Sequence, residues 1–311
     1  MNSYTIILVA LLMSINSCMY AKESDQTVKA SSIEKSILKG KDISLSGLRI
    51  EGDIDFTELV NYYTEGNNVE RGSVSSSITF VNCTFPDKII AFKRENKIDK
   101  RISFLKNITF INCSFSSDII MKEVVVHGIA NFVKNSFDGI VNIEGADFRN
   151  KDNYFTECVF NEKFKAQRIR FNGNVSFLKS EFFAFADFQQ AVFNGKAQFG
   201  ACKFYDHADF SLIKATDNFI MNYAEFNKKA IMNNSNYMGR VEFQQASFYA
   251  AIEMKGNTYA YPVKLNNVVI EADFSVENSY FLSGLPELDN FKNDSLIDFS
   301  KAYISTIKEM K

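Results

Sequence analysis

The side chains able to do chemistry in this chain are few and regularly placed. There are five cysteines, Cys18, Cys83, Cys113, Cys158 and Cys202, and two histidines, His127 and His207. Carboxylates recur at Glu181, Asp187, Asp209, Glu225, Glu242 and Glu253. Thiolates and imidazoles converging on one point would hold zinc. Two thiols on adjacent backbone segments could pair in an oxidising compartment. Two carboxylates facing one cleft could divide general-acid and general-base roles. Each chemistry requires convergence, so the path of the backbone decides which is open.

That path is marked by the aromatic residues. Phe177, Phe182, Phe188, Phe193, Phe199, Phe204 and Phe210 follow one another at alternating steps of five and six residues. The series continues as Ala215, Met221, Phe226, Met232, Tyr237, Phe243, Phe248, Met254, Tyr259, Leu265 and Ile270. Each fourth member lies 22 residues on, as in Phe177, Phe199, Met221, Phe243 and Leu265. Neither an α-helix nor an alternating strand has that spacing; a chain turning four corners per coil does. Ala186, Ala191, Ala197, Ala208, Ala224 and Ala246 sit two residues before a large one, on the same side of an extended backbone. Each short side therefore sends one large and one small group inward. Exchanges such as Phe164 with Ala166 and Ile213 with Ala215 keep inward volume roughly constant, as a close-packed interior requires. Gly and Asn in Phe171-Asn172-Gly173-Asn174 and Phe193-Asn194-Gly195-Lys196 are expected at corners, in turn or left-handed conformations.

The same phase extends upstream, with interruptions. Phe137 to Phe160 is one residue too long, and a one-residue slip would turn the pattern inside out. The extra residue must bulge from a corner near Arg149 to Asn153. Phe80 to Phe110 leaves eight extra residues, placed in a loop at 93–100 around Lys93-Arg94-Glu95-Asn96-Lys97. Leu45, Ile50 and Phe56 form an N-terminal coil, separated from the main stack by a polar loop at 61–77. Ser32 to Leu38, stopped by Gly40, has helical spacing, and so do Phe299, Tyr303, Ile307 and Met310. Short helices are expected over both ends, shielding strand edges.

The units Phe182 to Phe210, with Ala186-Asp187-Phe188, Ala191-Val192-Phe193, Ala197-Gln198-Phe199 and Ala208-Asp209-Phe210, and later Ala246-Ser247-Phe248, resemble the pentapeptide-repeat proteins. The likeness is to the variant class with Phe-x-x-Ala-x-Phe units, and degenerate units cover some three quarters of the chain. The resemblance implies an all-β fold: a right-handed quadrilateral parallel β-helix solenoid, here with short helical caps. The expected organisation is a signal peptide at 1–17, a lipidated flexible tether at 18–31 and an N-terminal helical cap at 32–40. The solenoid then spans 41–283 and a C-terminal cap 284–311.

This placement disperses the candidate chemistry. Phe177, Phe182, Phe188, Phe193, Phe199, Phe204, Phe210, Phe226, Phe243 and Phe248 are expected core. Cys83, Cys113, Cys158 and Cys202 each precede a phenylalanine by two and share one inward column, held elsewhere by Ser180, Ala224 and Ala246. Four thiols on one side of several coils cannot close a tetrahedral site, so they are expected as a buried small-residue column. Cys83 and Cys113 fall in neighbouring coils about 5 Å apart, which keeps a disulfide open. Asn135 falls in the same column and must find partners. The histidines are outward and almost four coils apart, too far for one metal or relay. Asp187 and Asp209 stack on adjacent coils in a mixed column with Lys165, Ile231 and Glu253. Some unrelated β-helices cut polysaccharides with stacked carboxylates, so a carbohydrate-active enzyme is the alternative function.

With 35 basic and 37 acidic residues, the net charge of −2 gives neither a basic track for nucleic acid nor the strong negative surface of a DNA mimic. The first eighteen residues carry no Asp, Glu, Lys or Arg, and Thr5 to Ile15 is apolar. Ile15-Asn16-Ser17-Cys18 resembles a bacterial lipobox, which implies lipid attachment at Cys18; secretion with cleavage after Ala21 is the alternative. The expectation is a non-catalytic scaffold or binding module, lipid-anchored in the bacterial cell envelope, or else secreted or periplasmic. Its partner is expected to be a protein or a glycan, with no cofactor, no metal and no nucleic acid; a homodimer is an open alternative.

Overall fold

The computed structural model describes residues 26–290, 297–299 and 301–305. Each coil lays one short strand on each of four parallel sheets. One coil shows the order: Ala197–Gln198, Lys203–Phe204, Ala208–Asp209 and Lys214–Ala215, here faces one to four. The corresponding sheets hold 9, 11, 11 and 13 strands. Register follows the repeat, with Phe182, Phe204, Phe226, Phe248 and Ile270 successive partners on face two. The fold is thus an all-β, four-sided solenoid of the pentapeptide-repeat-like kind with one short helical cap.

Inside, the large residues stack on their equivalents. On face two, the rings of Phe85, Phe115, Phe137, Phe160, Phe182, Phe204, Phe226 and Phe248 lie nearly parallel, with centroids 4.7 to 4.9 Å apart. Phe177, Phe182, Phe188, Phe193, Phe199, Phe204, Phe210, Phe226, Phe243 and Phe248 are at most 1% exposed. Volume exchange also runs around corners. Ala215 stands on face four between Phe193 and Tyr237, and the space it leaves is filled from face one by Phe219, whose ring lies 5.7 Å from Phe193 and 5.5 Å from Tyr237.

The corners are of two kinds. Between faces one and two, and between three and four, a left-handed residue makes the turn: Lys179, Gln190, Ala201, Leu212 and Tyr223 all have φ between 59° and 62° or, for Ala201, 52°. A turn bond from Cys202 N–H to the Phe199 carbonyl (3.2 Å) closes one of them. Glycine also makes this turn at Gly145 and Gly256, with φ of 67° and 65°. Gly173 and Gly195 lie at the other corners, where a Cβ on Gly195 would come within 2.4 Å of the Gly173 carbonyl carbon. Glycine is needed for close approach of stacked backbones, and the turns tolerate a side chain.

The extra residue lies between Phe148 and Asn153, since Phe148 pairs with Phe171 and Asn153 with Val175. The bulge removes a ladder carbonyl, and Asn153 Oδ1 accepts from the Ala130 N–H instead (3.3 Å). Order begins before residue 31: Thr27–Lys29 pairs in parallel with Arg49–Glu51, and the helix is Ala30–Leu38, burying Ala30, Ile33 and Ile37. The expected tether is correspondingly shorter, because Val28 packs on the core. At the other end, strands stand among the described residues where a helix is expected. Ile297–Asp298 and Tyr303–Ile304 continue faces three and four against Phe274–Ser275 and Tyr280–Phe281. The four-residue spacing of Phe299 and Tyr303 crosses a corner: Tyr303 points outward and is 55% exposed. Ile307 and Met310 lie outside the described residues.

Candidate functional site

The cysteine column is a row of hydrogen-bond donors. Cys113 Sγ donates to the Phe80 carbonyl (3.6 Å), Asn135 Nδ2 to Phe110 (2.9 Å) and Cys158 Sγ to Phe132 (3.3 Å). Ser180 Oγ donates to Phe155 (2.7 Å) and Cys202 Sγ to Phe177 (2.9 Å). Each reaches the carbonyl of a face-one centre residue in the coil before. Asn135 is satisfied on both sides, since its Oδ1 accepts from the Cys113 N–H (2.8 Å). The four thiols are unpaired and buried. Burial pushes the Cys158 thiol up to about 12 and Cys202 higher still, while contact with Cys83, then burial, raises Cys113. These three raised thiols are neither nucleophiles nor ligands at neutral pH, while the hydrogen bond with Cys113 lowers the Cys83 thiol. That Cys, Ser and Asn all occupy one column was the sequence signal for a donor role. Cys18 lies outside the described residues.

The stacked carboxylates cap corners. Asp187 Oδ1 accepts from the Gln189 N–H (3.1 Å), and Gln167 Nε2 donates to its Oδ2. Asp209 Oδ1 accepts from the N–H (2.8 Å) and hydroxyl (2.5 Å) of Ser211. These are Asx turns. Asp187 is outward but only 8% exposed, and burial, with Asp209 adding to it, raises its carboxyl above the ordinary value. Glu253 is held by Lys229 (2.8 Å) and Asn233 (2.9 Å). His207 bonds the neighbouring Asp206 (2.8 Å). Among the described residues, no cluster of three or more His, Cys, Asp or Glu side chains could hold a metal.

What the fold does gather is the two insertions. Each is a β-hairpin: Tyr62–Gly66 runs antiparallel to Val69–Val74, and Phe92–Glu95 to Ile98–Phe104. The second turns at Asn96 and Lys97, both left-handed with φ of 49° and 66°, as a two-residue hairpin loop requires. The hairpins join through a parallel ladder from Asp99 with Val69 to Phe104 with Val74, making one four-stranded sheet. Its inner end is the face-four strand Ser103–Phe104, paired with Val125–Val126; its outer part extends past the corner between faces three and four.

Charge fixes that sheet to the coils. Lys93 pairs with Asp55 (2.5 Å) and Glu58 (2.9 Å), and Arg94 with Asp99 (2.5 Å). Arg101 bridges Asp99 (3.3 Å) and Glu123 (3.5 Å), and Arg168 reaches Glu144 (2.5 Å). The hydrogen bond from Arg94 holds the Asp99 carboxyl below its usual range. Arg71 is buried, donating to Glu65 (2.8 Å) and to the carbonyl of Glu123 (3.3 Å). The tips are open: Tyr63 is 55% exposed, and Glu65, Asn67, Arg94, Asn96 and Lys97 are exposed. Sequence reasoning marked both insertions as loops but missed their pairing, because the charged alternation of Lys93 to Arg101 carries no apolar face.

No protein-family model, no curated protein and no solved structure matches this chain. Among the described residues no helix is long and apolar enough to cross a membrane.

Proposed function

We propose that this chain is a non-catalytic binding module of the bacterial cell envelope, held by a lipid on Cys18, with the hairpin sheet as its contact surface for a protein partner. One observation carries the reading: the two departures from the repeat assemble into a single ordered sheet instead of two slack loops. Insertions merely tolerated by a solenoid have no reason to pair over six residues or to be tied to the coils through Lys93 and Arg101. Projecting segments on a rigid stack are common recognition sites. The carboxylates, thiols and hydroxyls that an enzyme would need are engaged in corner caps and ladder bonds. The lipid anchor is supported by the apolar stretch before Ile15-Asn16-Ser17-Cys18.

Three experiments test this. A pull-down from envelope extract should recover a partner with the wild type and lose it when both hairpins are shortened; recovery unchanged by shortening defeats the contact surface. Polysaccharide turnover that falls in Asp187→Asn or Asp209→Asn would refute the non-enzymatic assignment. Fatty-acid labelling in a bacterial host should mark the native chain and not Cys18→Ser. Equal labelling of both, or processing after Ala21 without label, defeats the anchor.

A further inference from the structure

Face one differs from the other three in what it shows to solvent. Its outward column runs in register as Ser44, Thr79, Thr109, Asn131, Tyr154, Ser176, Gln198 and Ile220. Beside it a second column runs through Ser46, Val81, Ile111, Val133 and Thr156, and the next positions, two residues past Ser176, Gln198 and Ile220, are Leu178, Gly200 and Asn222. Not one of these side chains is charged across eight coils, in a chain of which 23% is charged. The same coils carry Asp147, Arg170 and Lys214 outward on face four, and Lys165, Asp187 and Asp209 on face three. Charge returns to these two columns only beyond Ile220, at Glu242 and Lys264; Asp152 stands at the corner end of its face-one strand, beside Asn174.

The two columns also differ from each other. One is hydroxyl and amide, with Tyr154 standing 39% exposed; the other is aliphatic through Val81, Ile111 and Val133, ending in Leu178 at 40% exposed. Among the described residues, the side chains of Thr79, Thr109, Asn131, Tyr154 and Gln198 make no hydrogen bond within the chain, whereas outward amides at the neighbouring corner are paired, Asn174 with Asp152 (2.9 Å) and Asn172 with Asp147 (2.6 Å). Where the one-residue bulge widens the corner, Tyr154 borders a shallow depression of about 290 Å³ with Ser176, Gln198, Asp152, Asn174 and Lys196. Faces one and three lie on opposite sides of the coil, so this surface is turned away from the hairpin sheet.

We infer that face one, from Thr79 to Gln198, is a docking surface for a linear neutral glycan lying along the solenoid axis. A pyranose chain offers a C–H face and a hydroxyl edge, which match an aliphatic column beside a polar one. It carries no charge, and neither do the two columns it would cover; the Asp152 carboxylate at their edge already accepts from Asn174 (2.9 Å). Coils repeat at about 4.8 Å, close to the length of one sugar unit in a β-linked chain, so successive sugars meet successive coils. Tyr154 supplies the aromatic ring on which a sugar stacks, with hydrogen-bonding groups around it. This surface is independent of the hairpin reading.

The full chain is incubated with three neutral polymers, cellulose, chitin and laminarin, and with two charged ones, polygalacturonate and heparin, and retention is measured. Retention is expected on at least one neutral polymer. Tyr154→Ala and Thr109→Lys should each weaken it about tenfold or more. Ser114→Lys, the same charge placed outward on face two of that coil, should leave it unchanged, as should shortening both hairpins. Thermal melts confirm that each variant is folded. Absence of retention on all three neutral polymers overturns the assignment. So does retention on the charged polymers alone, or retention that survives both face-one variants. A protein partner lost on hairpin shortening, with no glycan retained, would defeat this inference and keep the hairpin reading; glycan retention without such a partner would do the reverse.

Discussion

The coils from Phe177 to Met254 and the coils that carry the hairpins are made from the same repeat, yet they are held by different forces. In the central coils the interior is a dry column of stacked rings, and the outward residues mainly cap corners. Around the hairpins the backbone ladder is lengthened to six residues, ion pairs tie Lys93, Arg101 and Arg168 across neighbouring coils, and Arg94 pairs with Asp99 inside its own hairpin. The contrast teaches that a solenoid accepts an insertion at a corner so long as the next inward residue regains its phase. Phe110 stacks on Phe80 at 5.3 Å although a whole hairpin intervenes. Stability in such a stack is a sum of local interfaces, so damage in one region should stay there.

The largest expected effect breaks the central column. Phe204 lies between Phe182 (4.9 Å) and Phe226 (4.7 Å) and is 1% exposed. Phe204→Asp removes a core ring and buries an unpartnered carboxylate, a loss of about 5 kcal/mol or more. Gln198→Asp, on the outward side of the same coil, should stay within about 0.5 kcal/mol. Thermal melts of both variants decide the matter; similar losses in the two would mean that inward and outward sides are misassigned.

A smaller effect probes the donor column that runs through both regions. Asn135→Ala leaves the Cys113 N–H and the Phe110 carbonyl without their partner, which should cost about 2–3 kcal/mol. Asn135→Ser should recover part of it, because Ser180 does the same work two column positions on, accepting from the Cys158 N–H (3.0 Å) and donating to Phe155 (2.7 Å). Chemical denaturation of the three proteins would show it. Equal losses in both variants would mean that volume, and not hydrogen bonding, fixes this column.

How much of this was legible in the sequence depends on which force wrote it. Core positions such as Phe177 to Phe210 announce themselves by type and spacing, and the corner bulge near Asn153 follows from a single phase slip. The hairpin sheet does not, since its residues are polar on both sides and its partners lie a coil away. The C-terminal strands were mistaken for a helix because two positions flanking a corner can imitate a helical step. Glycine serves two ends that its type alone does not separate: Gly145 and Gly256 turn left-handed corners, while Gly195 is set by contact with the coil before it. The uncharged face one becomes visible only once register separates outward from inward residues, after which Thr79, Thr109 and Asn131 fall into one line.

The smallest expected effect separates the two regions by the sign of a pH response. The Asp99 carboxyl, in the hairpin sheet, is lowered chiefly by its bond from Arg94. Its contribution is therefore present above the ordinary carboxyl value and is lost as pH falls through its lowered one. The Asp187 carboxyl, in the central coils, is raised chiefly by burial. Its contribution is present below the ordinary value and is lost as pH rises through the raised one. Asp99→Asn should thus destabilise the hairpin amides at pH 7 by about 1–2 kcal/mol, less than for a fully buried pair because Arg94 is solvent-exposed. Asp187→Asn should do the opposite, stabilising its coil at pH 7 by no more than about 1 kcal/mol. The asparagine Oδ1 still accepts from the Gln189 N–H, and its amide can donate to Gln167 Oε1, which is buried without a partner. The Asp187 difference from wild type should shrink as pH approaches about 4, where ordinary carboxyls protonate, and the Asp99 difference only as pH falls below it. Residue-resolved hydrogen exchange at two pH values reads the two regions separately. If both variants move stability in the same direction at pH 7, the distinction between a region held by charge and one that merely buries it does not stand.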